Sequence, residues 1–179
     1  MLKENGMEES DFSKIQAIFN WLSKYFSLGD KEFCDKNRFK RNAKEVYESR
    51  RVSGCNDCAL VFATFARQVG ISATMLYSAE KSWLDNFLNG EKQCLHIGHV
   101  FCECFCDGGW VLVDPANRKI VGNYNPNLIE LDYNVGSSNC FVAYDRCVDI
   151  GERKDMKFFN GEMDKKCIWL KSKNNDEEK

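Results

Sequence analysis

The chain has 179 residues, a hydrophobic fraction of 44% and a net charge of −2 at pH 7. These values favour a folded protein over a disordered one, and charges of mixed sign give no reason to expect binding to nucleic acid or to a membrane surface. The apolar runs are too short to span a bilayer, and the first ten residues lack the apolar segment of a secretory signal.

Cysteine is unusually frequent, with ten residues in the chain. In a secreted protein this number would indicate a disulfide framework, whereas reduced thiols in a cytoplasmic protein are the simpler interpretation when no signal peptide is seen. We therefore expect a cytoplasmic protein in which most cysteines are small core residues. We also expect the protein to be a monomer.

Two helices are predicted before Cys55. Ser10 can cap a helix with one apolar stripe that ends at Gly29. The polar stretch 30–41 predicts a loop, and 42–51 predicts a short second helix.

The central part of the chain predicts a third helix and a strand. This helix should begin near Cys55 and end before Gly70, and apolar residues occupy most of its faces. It should therefore lie at the centre of the fold. Residues 71–77 read as a strand, and 80–95 contain a short amphipathic helix.

Two strands over 98–106 and 109–114 flank the dipeptide Asp107-Gly108, which is a strong hairpin signal. Helices followed by antiparallel strands indicate the α+β class.

The last third of the chain is less regular. Residues 116–138 are predicted to cross the surface, and 140–144 and 167–170 look like further strands. We expect one domain over 1–171 and a charged, disordered tail over 172–179.

Cys55 is the first candidate for chemistry, because a thiol at a helix start faces unpaired N–H groups and the positive end of the helix dipole. Both favour the thiolate, and the same N–H groups could receive the oxyanion of an attacked carbonyl. Cys58 lies one turn further along the helix and is expected to be a packing residue.

The hairpin brings a base and an acid onto one face. With a two-residue turn, Cys106 pairs with Gly109 and Phe101 with Asp114. Alternation then places His99 and Asp114 on the same face, diagonal to each other at about 7–8 Å. An imidazole and a carboxylate can meet at this separation. Any Cys–His chemistry must use His96 or His99, because the chain has no other histidine.

Other groups near this hairpin offer alternative chemistry. A zinc cluster of the histidines and nearby cysteines is disfavoured, because alternation places His99 opposite Cys102 and Cys104, so we expect no metal or cofactor. Glu103 shares the face of His99 and is a reserve orienting carboxylate. Arg50 or Arg51 could aid the thiolate or contact an acidic substrate group.

Two segments resemble the transglutaminase-like superfamily. SGCNDCALVFATFARQVGI is similar to the helix of that family that carries its nucleophile, and HVFCECFCDGGWVLVDPAN is similar to its His–Asp hairpin. The preceding KIQAIFNWLSKYF resembles the family's N-terminal helix. The resemblance implies that Cys55 is the nucleophile, His99 the base and Asp114 the orienting acid.

The resemblance also implies a papain-like core and an enzyme that acts on amides. Family members include crosslinking transglutaminases, cysteine proteases and peptide N-glycanases. The chain shows neither the flanking β domains of the first group nor the paired CxxC zinc site of the third. We therefore expect a cysteine protease or amidase acting on a peptide or protein through an acyl-thioester. A crosslinking acyl transferase, an inactive binding module on the same fold and a zinc-stabilised module remain the alternatives.

Overall fold

The computed structural model describes residues 10–91 and 97–148. The helices are α1 (Asp11–Tyr25), α2 (Lys31–Asn37), α3 (Ala43–Ser49), α4 (Cys55–Gln68) and α5 (Lys81–Leu88). The strands are β1 (Ser27–Leu28), β2 (Arg51–Val52), β3 (Ser72–Glu80), β4 (Gly98–Cys106), β5 (Gly109–Asp114), β6 (Lys119–Val121), β7 (Glu130–Val135) and β8 (Ser138–Cys147). This mixture of helices and antiparallel strands confirms the α+β class.

Six strands form one antiparallel sheet in the order β6-β5-β4-β3-β8-β7, and β1 and β2 form a separate parallel pair. Helix α4 packs on β3 and β4, and α1 and α3 pack on α4. The resulting core joins the apolar face of α4 to the cysteines and valines of the hairpin. α4 is therefore central, as the apolar residues on most of its faces predict.

The far face of the sheet holds a second apolar cluster. The rings of Phe101 on β4 and Tyr133 on β7 meet edge to face with centroids 5.0 Å apart. Two strands lie between β4 and β7 in the sheet order, so this contact requires the sheet to curl. The curl brings β7 and β8 over the face that carries His99 and Asp114.

Four predicted boundaries need correction. α1 ends at Tyr25 and not at Gly29, because the chain turns extended at Phe26. The predicted loop over 30–41 contains α2, whose start is capped by the Asp30 carboxylate. The predicted surface segment 116–138 contains β6 and β7, and β8 extends beyond the predicted 140–144. Short elements with local polar caps carry little hydrophobic periodicity, so the pattern hides them.

Some predictions fall outside the described residues, namely His96, the strand over 167–170 and the tail over 172–179. Within the described part of the chain, the structure has no helix with the length and apolar character that crossing a membrane requires.

Candidate active site

The site begins at the start of α4. Cys55 is the first helical residue, and Gly54 before it has φ 146° and ψ −166°. That conformation is essentially restricted to glycine, because a Cβ would be strained there. The sharp turn at Gly54 leaves Cys55 at the exposed end of a helix whose following two residues are buried.

A buried ion pair fixes this turn. One carboxylate oxygen of Asp57 accepts hydrogen bonds from the backbone N–H and the hydroxyl of Ser53, each at 2.7 Å. The same oxygen accepts from the guanidinium of Arg41, which also donates to the backbone oxygen of Arg51 at 2.8 Å. The first turn of α4 is thus tied to the loop before it and to the segment that precedes α3.

The hairpin has the predicted register. Cys106 pairs with Gly109 and Glu103 with Leu112. Asp107 and Gly108 have φ of 48° and 84°, as a two-residue type I′ turn requires. His99 and Asp114 therefore lie on the same face of the hairpin.

His99 lies between the thiol and the carboxylate. Its Nε2 atom is 3.0 Å from Oδ2 of Asp114, although the N–H bond is not aligned on that oxygen. The Cys55 side chain also interacts with the ring and helps to raise the pKa of His99. Since Nε2 faces Asp114, Nδ1 is the nitrogen available to the thiol. The edge-on ring of Phe101, with its centroid 4.7 Å away, packs against the imidazole.

Asp114 is fully buried and held from two sides. Asn117 donates its backbone N–H to Oδ1 at 3.0 Å and its side-chain amide to Oδ2 at 2.7 Å. Tyr133 approaches the same carboxylate, and burial together with this negative charge raises the pKa of Tyr133. Neither Asn117 nor Tyr133 is expected at the site from the sequence alone. An Asn three positions after an Asp is a turn signal that could have found Asn117, whereas Tyr133 is brought in by the curl of the sheet.

The charges of His99 and Asp114 support each other. Burial opposes the charged imidazole, but the contacts with Asp114 and Cys55 outweigh it and raise the pKa of His99 to about 9. Burial likewise opposes the carboxylate, yet His99 and Asn117 lower the pKa of Asp114 below its usual range. The arrangement therefore favours an imidazolium beside a buried carboxylate near neutral pH.

Comparison with known proteins gives the family. A family model described as the transglutaminase-like superfamily matches residues 2–115, more than half of the chain. The chain belongs to the transglutaminase-like superfamily. A solved structure from Cytophaga hutchinsonii, described as a "putative cysteine protease", is similar to it with a TM-score of 0.46 and 17% identity, over 79% of this chain and 55% of that one. The chain thus spans about half the length of that structure. No curated protein matches the sequence.

The other cysteines of this transglutaminase-like chain differ from Cys55 in their surroundings. Burial, followed by the nearby charges of Cys55 and Asp57, raises the pKa of Cys58 to about 12. Cys102 and Cys104 are fully buried in the core beneath α4, on the face of β4 opposite His99. Their burial disfavours the thiolate form that nucleophilic chemistry needs.

The reserve carboxylate, Glu103, is engaged elsewhere. It accepts from Nε of Arg146 at 2.8 Å and from the hydroxyl of Tyr124 at 2.6 Å. This network ties the loop before β7 to the sheet, so both oxygens of Glu103 are occupied away from His99. The expectation that Glu103 could orient the imidazole is wrong for this geometry.

Arg50 and Arg51 also do not reach the thiol. The Arg50 guanidinium lies 3.8 Å from the ring centroid of Tyr47, and Arg51 pairs with Asp30 at 2.8 Å. Arg38 on α2's C-terminal side lies at the site instead. The expectation that Arg50 or Arg51 acts at the thiol is therefore wrong for this geometry.

Two concave surfaces meet at Cys55. A cavity of about 210 Å³ lies on the side of His99, and its lining includes Asn56 and Tyr77. A groove of about 410 Å³ lies on the other side and is lined by α1, β1 and the segment after Asp114. Cys55 lines both. A thiol in this position can be reached by a group that extends in both directions.

The raised pKa of His99 leads to a prediction for NMR. In the His96→Gln variant the remaining histidine signal belongs to His99, which allows its assignment. His99 should titrate near pH 9 and not near its ordinary value of 6.5. Cys55→Ala should lower that midpoint because one of the two raising contacts is lost. A midpoint close to 6.5 in the unmodified protein contradicts the contacts described here.

The same shift has a consequence for stability. Because folded His99 holds its proton more tightly than the unfolded chain does, its stabilising contribution is complete below about pH 6.5 and is lost as the pH rises through about 9. Urea denaturation of the protein and of His99→Gln across this range should show the difference between the two curves shrink with increasing pH.

Proposed function

We propose that the chain is a cysteine-dependent enzyme that cleaves amide bonds in a peptide or protein, as a cysteine protease or amidase. Cys55 is the nucleophile, His99 the acid–base group and Asp114 the orienting acid. The observation that carries the proposal is the continuous contact from the Cys55 thiol through the His99 ring to the buried Asp114 carboxylate. We further propose that it acts as a monomer in the cytoplasm, where thiols stay reduced.

The mechanism follows from these roles. His99 takes the proton of Cys55, and the sulfur forms a bond to the amide carbonyl carbon. The tetrahedral intermediate collapses, the C–N bond breaks, and the imidazolium of His99 gives its proton to the leaving amine. Water, deprotonated by His99, then attacks the acyl-thioester and releases the acid and the free thiol. Asp114 keeps the imidazole in the required orientation and stabilises its charge.

Asn56 is our candidate for an oxyanion donor. It is 2% exposed and lines the cavity with Cys55. Its Oδ1 accepts from the Tyr77 hydroxyl at 2.5 Å, while its Nδ2 has no partner among the described residues. A buried donor without a partner costs about 1–3 kcal/mol, so a substrate oxygen that pairs with it is well stabilised. The free N–H groups of the first turn of α4 supply further donors.

We expect Asn56→Ala to lower kcat by about 10²–10³ because one oxyanion donor is removed. The rate of Cys55 alkylation by iodoacetamide, which forms no oxyanion, should stay within about twofold if the thiol's surroundings are intact. Steady-state kinetics and mass spectrometry measure the two quantities. A parallel fall of both would instead show that Asn56 only supports the helix start.

Acyl transfer to an amine is the second candidate function. The cavity beside His99, at about 210 Å³, has room for a nucleophile larger than water. Incubation with denatured casein and dansylcadaverine distinguishes the two reactions. Hydrolysis yields shorter peptides without dansyl label, and transfer yields dansylated casein. If neither product forms, and Cys55 is unreactive although the protein is folded, the result would support the inactive binding module.

A further inference from the structure

The cavity and the groove that meet at Cys55 should hold different parts of the substrate. This inference rests on the proposed function. The leaving amine takes its proton from His99, so it must lie on the imidazole side. His99 lines the cavity of about 210 Å³ and not the groove of about 410 Å³. The acyl part remains attached to the sulfur of Cys55, and the groove is the space left for it.

The floor and one rim of the groove are apolar. Val61 is fully buried and Val52 and Leu22 are each 9% exposed, so they form a floor. Phe26 and Leu28 form one rim, and Leu28 is 70% exposed. An apolar side chain that enters removes this surface from water, which is the main driving force for binding it.

The charge of the groove selects against one class of side chain. Among its described lining residues none is acidic, and its one charged side chain is Arg118, which donates to the hydroxyl of Ser23 at 2.9 Å. A lysine or arginine side chain would lose its water shell there without gaining a carboxylate, and it would face a like charge.

The groove is also held in shape before any substrate arrives. Leu28 pairs with Val52 in the parallel β1–β2 ladder, and the N–H of Gly29 donates to the oxygen of Val52 at 2.9 Å. The exposed rim is thus fastened to the loop that leads into Cys55. A rim with a fixed position can discriminate among side chains, because little ordering is needed on binding.

We infer that the groove is the acyl-side specificity pocket, and that the preferred substrates are amides whose acyl part carries an aliphatic or aromatic side chain next to the scissile bond. Basic side chains at that position are rejected. Leu28 is the specificity-determining residue, and it takes no part in the bond changes.

Alkylation of Cys55 by chloromethyl ketones tests this preference without turnover. The sulfur forms a bond to the methylene carbon as chloride leaves, and the amino-acid part occupies the acyl side. N-acetyl-leucine and N-acetyl-phenylalanine chloromethyl ketones should label Cys55 at least about tenfold faster than the N-acetyl-lysine reagent. Each rate is divided by the iodoacetamide rate of the same protein to correct for thiol reactivity.

A variant pair locates the preference in the groove. Leu28→Asp places a carboxylate on the rim and should reduce the leucine-to-lysine ratio by about tenfold or more. Leu128→Asp is the matched control, since Leu128 is 54% exposed and does not line the groove, and its ratio should match that of the unmodified protein.

The outcomes separate the two proposals. Equal rates for the leucine and lysine reagents, or an unchanged ratio in Leu28→Asp, overturn the groove assignment while leaving the nucleophile in place. Failure of iodoacetamide to label Cys55 in the folded protein overturns the proposed function, and the groove assignment falls with it.

Discussion

Cys55→Ala should abolish amide cleavage, with a fall in kcat of about 10⁴–10⁶, because no other group can form the acyl intermediate. The protein should stay folded, since alanine fits the first position of a helix and Cys55 is only partly buried. Circular dichroism checks the fold, and the release of peptides from denatured casein checks activity. His99→Ala should cost a similar factor because thiol and imidazole act as a unit.

Cys58→Ala is the matched control, as it removes a neighbouring thiol of the same helix. It should keep most of the activity and lose some packing, because burial raises the pKa of Cys58 to about 12 and disfavours its thiolate. If Cys58→Ala stops turnover and Cys55→Ala spares it, the assignment of the nucleophile is wrong.

Arg41→Ala should destabilise the protein by about 3–5 kcal/mol, because it leaves the carboxylate of Asp57 buried without its cation. Asp57 is fully buried and Arg41 is 8% exposed, so water cannot replace the lost guanidinium. Urea denaturation measures the change. Because the pair fixes the turn before Cys55, the iodoacetamide rate at that thiol should fall as well, even well below the denaturation midpoint.

The surface pair of Lys44 and Glu48 is the control for this measurement. Its atoms are 3.8 Å apart and its side chains are 80% and 61% exposed. Lys44→Ala should therefore change the free energy of unfolding by no more than about 0.5 kcal/mol. A comparably small effect of Arg41→Ala would mean that the buried pair contributes little, and the role given to Asp57 in holding the helix start would be wrong.

The hairpin register and the start of α4 could be predicted from the sequence, because turn residues and hydrophobic periodicity determine both. The Asp107-Gly108 turn determines the hairpin register, and strand alternation then places His99 and Asp114 on one face. The helix that the apolar run predicts to begin near Cys55 begins at that residue. For these parts, turn chemistry and hydrophobic period suffice.

What it could not predict depends on contacts between distant segments. Asp57 lies two residues after Cys55, yet nothing local indicates that Arg41 is its partner. Tyr133 reaches the site only because the sheet curls. Nothing in the sequence distinguishes Asn56 from other polar residues. In the structure its amide is buried, and Oδ1 has a hydrogen-bond partner whereas Nδ2 has none among the described residues. Residues of this kind become visible only in the folded arrangement.

The most direct test of the central claim is intact-mass and peptide mapping after brief treatment with iodoacetamide at mildly acidic pH. A Cys55 thiol in contact with a His99 imidazolium should react first, and one carbamidomethyl group on Cys55 should account for the product. Denatured protein should take up ten groups, one for each cysteine, which shows that the reagent is in excess. Labelling spread over several cysteines of the folded protein, or centred on Cys58, would contradict the account.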